Sequence, residues 1–485
     1  MRSPRAALLS GLASLLVGCH RTHAASTERA PGEPSERPRA AAQHRPEGGI
    51  PAGATGVTYA APPGGPVLGV NTVWVGPRTA DHSGERAMTA VQTRAELAAL
   101  GATRFRQLTS GDATWRNIEP SAGAFTWTGA DAVIPVFAGM VIPTLFDIQY
   151  ANPTPPWRRA PGLPFETSCN SDVEAYVGAV VDRYRASTTY WEIGNEMDHW
   201  KAADPGGTIP PELANQPGHH ELPGNTPSSG YSSAEQGQFL ACVARIIHEH
   251  EPGAKVVMPG LSGLAPQALD GWLTDVITAA GKDTFDVINY HYYGPWQRYA
   301  QSRALLTQKL AELGVPDKPV WLTETGVTSD PTLMSHTNYP NSETEQAADV
   351  FRRFSLAFGY GDSSVYWHTF VDSGDDPNNR WRGFGLITMQ DRRRTPAWYA
   401  YQLFATQVAP FASSTVEEAG PDRFVVRFAR GDGGSRWVAW GSGSLELPSG
   451  ATRSTSVVYT GSAPWAGVSA AVPLTDVPTL IATSR

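Results

Sequence analysis

Between residues 67 and 406 the sequence alternates short apolar runs with longer stretches of helical periodicity, and this alternation limits the fold more than any other feature. The runs are Leu68–Val75, Thr103–Leu108, Val141–Asp147, Thr189–Ile193, Ala254–Pro259, Phe285–Tyr290, Pro319–Thr323 and Ser364–His368. Most are hydrophobic without a strict polar alternation, as strands covered on both faces should be. Between them Val173, Tyr176, Val177, Val180, Val181 and Tyr184 recur at helical spacing. Ser342 with Glu345 has the capping-box pattern ahead of Ala347, Val350, Phe351 and Phe354, and Leu305, Leu306, Leu310 and Leu313 mark the helix before the seventh strand. Eight strand–helix units predict an α/β chain folded as a (β/α)8 TIM barrel with insertions. An open doubly wound sheet would want a glycine-rich phosphate loop near its start, and the sequence has none there.

The flanks differ in character. Residues 407–485 carry partly alternating runs (Arg423–Phe428, Arg436–Trp440, Ser456–Tyr459) separated by Gly, Ser and Pro, which predicts a small β-sandwich-like domain. Residues 20–66 are rich in Ala, Pro, Gly, Arg and Glu with almost no large apolar residue, the composition of a disordered tether. Residues 1–19 have a charged start (Arg2, Arg5), an apolar stretch from Ala6 to Val17 and a small-residue site ending in Cys19. This resembles a bacterial lipoprotein signal, which implies lipidation at Cys19, a membrane anchor there, and a lipid-anchored place in the cell envelope, facing the periplasm or on the cell surface. An ordinary secretory signal with an incidental Cys19 is the alternative. The apolar stretch is shorter than the roughly 20 residues of a spanning helix. Cys169 and Cys242 remain, an even pair that could form one disulfide in an oxidising compartment or stay as two buried thiols.

Composition narrows the partners. A net charge of −8 argues against nucleic acid, and the one basic cluster, Arg392-Arg393-Arg394, is too short to bind a phosphate backbone. Fifteen Trp in an aromatic share of 10% suits a chain whose cleft handles sugars.

Two segments carry the chemistry. Tyr190-Trp191-Glu192-Ile193-Gly194-Asn195-Glu196 and Val320-Trp321-Leu322-Thr323-Glu324-Thr325-Gly326 each end an apolar, β-prone run on a glutamate in a polar turn. In a barrel, active groups sit at the C-terminal ends of strands, so Glu196 after the fourth strand and Glu324 at the seventh would face one cleft. Breaking a glycosidic bond needs one carboxylic acid to protonate the leaving oxygen and a second carboxylate to attack or stabilise the anomeric carbon.

The strings Trp191–Glu196, Asp286-Val287-Ile288-Asn289-Tyr290-His291-Tyr292-Tyr293 and Trp321–Gly326 resemble the clan of retaining (β/α)8 glycoside hydrolases, nearest to its family 39. Arg104-Phe105-Arg106, the Trp115–Trp127 segment, Tyr366-Trp367 and Arg394–Tyr401 extend the likeness over about residues 65–406. The resemblance implies that Glu196 is the general acid/base and Glu324 the nucleophile. It also implies that Asn195 binds the sugar 2-hydroxyl, that Arg106 holds Glu324 ionised, and that Glu196 has a raised pKa. Tyr293 or Tyr292 would hydrogen-bond the nucleophile, His291 would orient the site, and Trp367 would stack on the sugar. Arg104 shares the face of Arg106 and either could instead be a surface charge.

The stretch from Lys201 to Ser233 is a long Pro- and Gly-rich insertion expected to shape the cleft. Its His219-His220-Glu221 lacks the helical two-His spacing of a metal site, and Asp372–Asp376 lacks the full calcium-loop pattern, so no metal and no cofactor are expected. The expectation is a monomeric, envelope-anchored hydrolase of a polysaccharide or oligosaccharide. A transglycosidase with the same residues and a non-catalytic glycan-binding lipoprotein are the alternatives.

Overall fold

The computed structural model describes residues 55–72, 88–107, 115–146, 170–199, 233–333, 341–372 and 381–483. Each of the eight apolar runs contributes a strand: β1 (Val67–Thr72), β2 (Arg104–Gln107), β3 (Val141–Phe146), β4 (Tyr190–Gly194), β5 (Lys255–Val257), β6 (Ile288–Tyr292), β7 (Val320–Thr325) and β8 (Ser364–Trp367). Neighbours in sequence are neighbours in space and all pair in parallel, with β8 returning to β1 so that Val67 faces Ser364 and Val70 faces Trp367. Bonds from Asp286 N to Val256 O (2.8 Å) and from Met258 N to Val287 O (3.0 Å) link β5 to β6 and close the ring. The barrel is the one the alternation predicts.

A helix follows each strand: α1 (Ala90–Leu100), α2 (Thr128–Val133), α3 (Ser171–Tyr184), α4 (Ser233–His250), α5 (Thr274–Ala280), α6 (Tyr299–Glu312), α7 (Glu343–Gly359) and α8 (Pro396–Leu403). In α3 all six apolar residues singled out by spacing are buried. The pattern on α6 is looser, since Leu306 and Leu310 are buried but Leu305 faces solvent. At the start of α7, Ser342 Oγ accepts from Glu345 N at 3.0 Å as a capping box requires, but the Glu345 carboxylate goes to Arg352 (2.6 Å). A buried guanidinium outcompetes a helix-end amide for a carboxylate.

Inside the barrel, toward the N-terminal ends of the strands, Ile142, Val257, Val287, Trp321 and Tyr366 form an apolar plug. Gly69 makes room for it, because a Cβ there would lie 2.1 Å from the Tyr366 ring. Above the plug the inward residues are polar: Asn71, Arg106, Thr144, Glu192, Asn289 and Thr323, all buried. The main hydrophobic core lies between strands and helices, the usual division in such barrels.

The C-terminal region is a seven-stranded sheet that includes β9 (Phe411–Ala419), β10 (Arg423–Arg430), β11 (Ser435–Gly441), β12 (Ala451–Ser456) and β13 (Thr479–Thr483). One face, with Val426, Phe428, Val438 and Trp440, joins the barrel core, and the other, with Val425, Trp437, Ala439 and Ile481, packs on Val472 and Leu474. A two-stranded ribbon, Ser444–Leu445 with Val472–Pro473, supplies the second layer. The edge of this sheet corrects the expected tether. Residues Thr58–Ala60 run antiparallel to β9, with Thr58 opposite Thr415, so the stretch 20–66 is not disordered to its end. Three residues with no core of their own can still satisfy their backbone on an existing sheet edge. The signal 1–19, with Cys19, and the tether up to residue 54 lie outside the described residues. Among the described residues no helix is long and apolar enough to cross a membrane.

Cys242 on α4 is disulfide-bonded, which removes the free-thiol alternative for it. Its expected partner Cys169 lies outside the described residues, as do 201–232 of the long insertion and 373–376 of the acidic stretch. Asp372 uses its carboxylate to accept from Gly383 N at 2.8 and 2.9 Å.

Candidate active site

The polar layer is organised by one guanidinium. Arg106 on β2 is fully buried and donates to five acceptors: Glu192 Oε2 (2.6 Å) and Oε1 (2.8 Å), Glu324 Oε1 (2.7 Å), Asn195 Oδ1 (2.7 Å) and Asn71 Oδ1 (3.1 Å). Glu192 also accepts from Asn289 Nδ2 (2.8 Å) and Thr144 Oγ1 (3.2 Å). A buried ion pair is tolerated when the remaining lone pairs are filled, and here they are. Burial alone would lower the pKa of Arg106, yet the two carboxylates raise it above the ordinary value, so the charge is permanent. The bidentate Glu192 fixes the plane of the fork, and its third arm points at Glu324.

Glu196 follows β4 in an unusual backbone state. Its φ of 47° is in the left-handed region, which costs a non-glycine residue about 1–3 kcal/mol and is typical of functional positions. Glu196 N donates to Gly260 O (2.9 Å), and two residues on Asp198 accepts from Ser262 N (3.0 Å) and Oγ (2.6 Å), so the turn is braced against the segment after β5. The Glu196 carboxylate meets His291 Nδ1 at 2.7 Å. His291 in turn needs Gly260, where a Cβ would stand 2.3 Å from Nε2.

Glu324 is almost wholly buried. Its Oε2 accepts from Tyr293 OH at 2.7 Å and lies 3.6 Å from His291 Nδ1 and 3.9 Å from His368 Nδ1. Burial pushes the carboxyl pKa upward, but His291, His368 and Arg106 outweigh it and hold the group below its usual range. Of these, Arg106 carries the permanent charge. His368 is depressed by its burial, against the pull of Glu324, and is a neutral imidazole at neutral pH. Tyr293 is pushed well above the usual tyrosine range by burial and then by Glu324, so it stays a proton donor. One carboxylate oxygen of Glu196, one of Glu324 and a His291 nitrogen all lie within 4.8 Å of one another.

Such a trio has the donor types of a divalent-cation site. Each member is already engaged: His291 Nδ1 with Glu196, and Glu324 with both Arg106 and Tyr293. Asn195 Oδ1 is taken by Arg106, which turns the amide so that the buried Nδ2 finds no acceptor among the described residues and is left for a ligand. The arrangement can therefore present one carboxylate held as an anion, one that shares a proton with an imidazole, and an amide donor beside them.

The structure brings together Arg106, Asn195, Glu196, His291, Tyr293 and Glu324. It separates Tyr292, whose hydroxyl donates to Pro295 O at 2.8 Å. Arg104 lies lower, donating to Gly139 O at 2.9 Å. Trp367 is a correction: it is fully buried in the helix-side core, its ring 6.4 Å from Phe354 of α7 and its indole N–H on Phe384 O. The reason is the strand period of two, since Tyr366 fills the plug, Trp367 must face outward, and His368 faces the site. Among the described residues, a half-buried aromatic ring next to the site is Trp381, 4.9 Å from His368 and 5.4 Å from Tyr293. Sequence reading also missed Glu192 and His368. A carboxylate in the middle of a doubly covered strand was the signal for the first, because it must find a buried cation; the inward register set by Tyr366 was the signal for the second.

Residues 240–374, which include β6, Glu324 and β8, match the family model of the glycosyl hydrolase catalytic core. Over that segment the chain is similar to a glycosyl hydrolase catalytic core. Over most of its length the chain is similar in fold to a family 39 glycoside hydrolase from Bacteroides cellulosilyticus WH2 (18% identity over 86% of this chain and 80% of that one, TM-score 0.61). It is similar also to a family 39 beta-xylosidase from Caulobacter crescentus (16%, 88% and 98%, TM-score 0.55). A third is xylanase C of family 30 from Talaromyces cellulolyticus (13%, 88% and 100%, TM-score 0.53). No curated protein matches the sequence significantly.

Proposed function

We propose that this hydrolase cleaves glycosidic bonds with retention, by double displacement, with Glu324 as nucleophile and Glu196 as acid/base. The observation that carries the reading is the approach of the two carboxylates, with an oxygen of each within 4.8 Å. Retaining pairs stand about 5–5.5 Å apart, whereas inverting pairs leave about 6.5–9.5 Å for a water. Glu324, held anionic by Arg106 and Tyr293, attacks the anomeric carbon as Glu196 gives its proton to the leaving oxygen. Glu196, now a carboxylate, takes a proton from water, which attacks the same carbon, releases Glu324 and leaves Glu196 protonated again. His291 Nδ1 lies between the two carboxylates, 2.7 Å from Glu196 and 3.6 Å from Glu324, and orients Glu196, while Asn195 Nδ2 donates to the sugar hydroxyl next to the anomeric carbon. Trp381 takes the stacking role first expected of Trp367.

Several structures of this fold are named for xylosides, xylans or arabinofuranosides, so pentosides head the substrate panel. The test uses aryl glycosides bearing a 2-fluoro substituent: the expected adduct is a single glycosyl ester on the peptide holding Glu324. Glu196→Ala should lose about 10²–10⁴-fold in kcat and regain turnover with azide, giving a glycosyl azide of retained configuration. An inverted first product by NMR, or an adduct elsewhere, would refute the reading. We also propose that Cys19 is lipidated and anchors the enzyme in the envelope; the disulfide at Cys242 supports an oxidising compartment. Lack of label from a radioactive fatty acid in a host that processes lipoproteins, with Cys19→Ala behaving the same, would remove the anchor.

A further inference from the structure

Arg353 on α7 is fully buried and lies outside the ring of groups that face the carboxylates. Its guanidinium reaches over the end of the barrel to the backbone on both sides of Tyr293. Nη1 donates to Tyr292 O (3.0 Å) and to Thr325 Oγ1 (3.2 Å), Nη2 donates to Gly294 O (3.0 Å), and Nε is held by Asp349 one turn earlier. Thr325 Oγ1 donates to the same Tyr292 carbonyl at 2.8 Å. The residue before Tyr293, the residue after it and the residue after Glu324 are thus tied to one planar fork.

We propose that Arg353 is a positioning residue, which sets the Tyr293 hydroxyl on Glu324 by holding the carbonyls of the two residues that flank it, Tyr292 and Gly294. A carbonyl on each side fixes the position and direction of the Tyr293 backbone, and the Thr325 bond ties it to the strand that carries Glu324. A planar fork can do this where an ammonium cannot, because the three contacts diverge at fixed angles. The far end of the segment is held too: Trp296 lies 5.1 Å beneath the Arg352 guanidinium and packs edge-on against Phe424 (5.2 Å) and Trp440 (5.7 Å) of the C-terminal sheet. Helix α7 is buried along nearly its whole length between barrel and sheet, so its two arginines have little freedom to move.

This inference rests on Glu324 being the nucleophile. The groups that face Glu324 are Arg106 from β2, Glu196 after β4, His291 and Tyr293 from β6 and its loop, and His368 after β8. Arg353 is not among them, and Arg353→Lys keeps the charge, so its replacement moves the titration of Glu324 through the groups it holds: Tyr293 and, by way of Thr325, the strand that carries Glu324. The experiment is the pH profile of kcat/KM for wild type, Arg353→Lys, Tyr293→Phe and the double variant, with Arg352→Lys as a control of equal burial on the same helix. Losing the Tyr293 hydrogen bond raises the Glu324 pKa, so the acid limb moves to higher pH. We expect Arg353→Lys to shift it in the same direction as Tyr293→Phe, with kcat/KM down about 10- to 100-fold, roughly 1.4–2.8 kcal/mol. The double variant should be no worse than Tyr293→Phe alone, and Arg352→Lys, which keeps a cation over Trp296, should leave the limb in place. Should Arg353→Lys not fold, Thr325→Val opens the clamp from the strand side and carries the same expectation. An acid limb unchanged in the clamp variant, or losses that add in the double variant, would overturn the proposal while 2-fluoro trapping at Glu324 still upheld the nucleophile.

Discussion

Replacing Arg106 by methionine keeps an unbranched side chain in the barrel and removes the charge that two buried carboxylates share. The structure sets the scale. Five hydrogen bonds of 2.6–3.1 Å disappear, and Glu192 and Glu324 are left without a cation at almost no exposure to water. Breaking a buried pair by removing one partner costs about 3–5 kcal/mol, because an uncompensated charge stays behind. The cost should depend on pH. In the wild type the folded Glu324 carboxyl titrates below its unfolded value, so its contribution is present above that value, near pH 4.3, and fades as the pH falls through the folded pKa. In Arg106→Met burial works against a weaker opposition, and the carboxyl takes up a proton more readily in the folded state than in the unfolded one. The penalty is then full near pH 7 and is relieved as the pH falls toward 4. Denaturant unfolding of both proteins between pH 4 and pH 8 should show a stability gap of about 3–5 kcal/mol at neutrality that narrows on the acid side. A gap that stays constant over this range, or one below about 1 kcal/mol at pH 7, would show that the guanidinium does not compensate these carboxylates.

Two further substitutions separate neighbouring roles. Gly260→Ala places a methyl 2.3 Å from His291 Nε2, so the imidazole must leave Glu196; kcat should fall, at a cost in stability of about 1–3 kcal/mol, and an unchanged kcat would mean that His291 does not position Glu196. Trp367→Phe should lower the melting temperature and leave KM alone, whereas Trp381→Ala should raise KM about tenfold with the fold intact, since of the two only Trp381 packs against His368 and Tyr293 with part of its ring exposed. The reverse pattern would return sugar stacking to Trp367.

Barrel and carboxylates were legible in the sequence for a simple reason. A strand covered on both faces must be apolar along its length, so the eight runs stand out, and a carboxylate can escape burial cost only where the strand ends. That local rule located Glu196 and Glu324 and, through the alternation, assigned them to the fourth and seventh units. It could not show what lies beneath them. Glu192 sits inside a buried strand at a position where the rule expects an apolar residue, and its presence makes sense only once Arg106 from another strand reaches it. Trp367 and His368 are adjacent in sequence, and only the register against β1 decides which one faces the site. Likewise Thr58–Ala60 has the composition of a linker, and its pairing with β9 depends on an edge more than 350 residues away.

Sequence alone therefore determined the architecture and the placing of Glu196 and Glu324 in the fourth and seventh units, because periodicity and strand-end polarity are properties of neighbouring residues. Tertiary structure decided the rest: the anionic state of Glu324, the bond between Glu196 and His291, the outward turn of Trp367 and the grip of Arg353 on Tyr293. Each of these depends on distances between atoms that the chain brings together from far apart, and electrostatic and hydrogen-bond energies change within an ångström where periodicity does not.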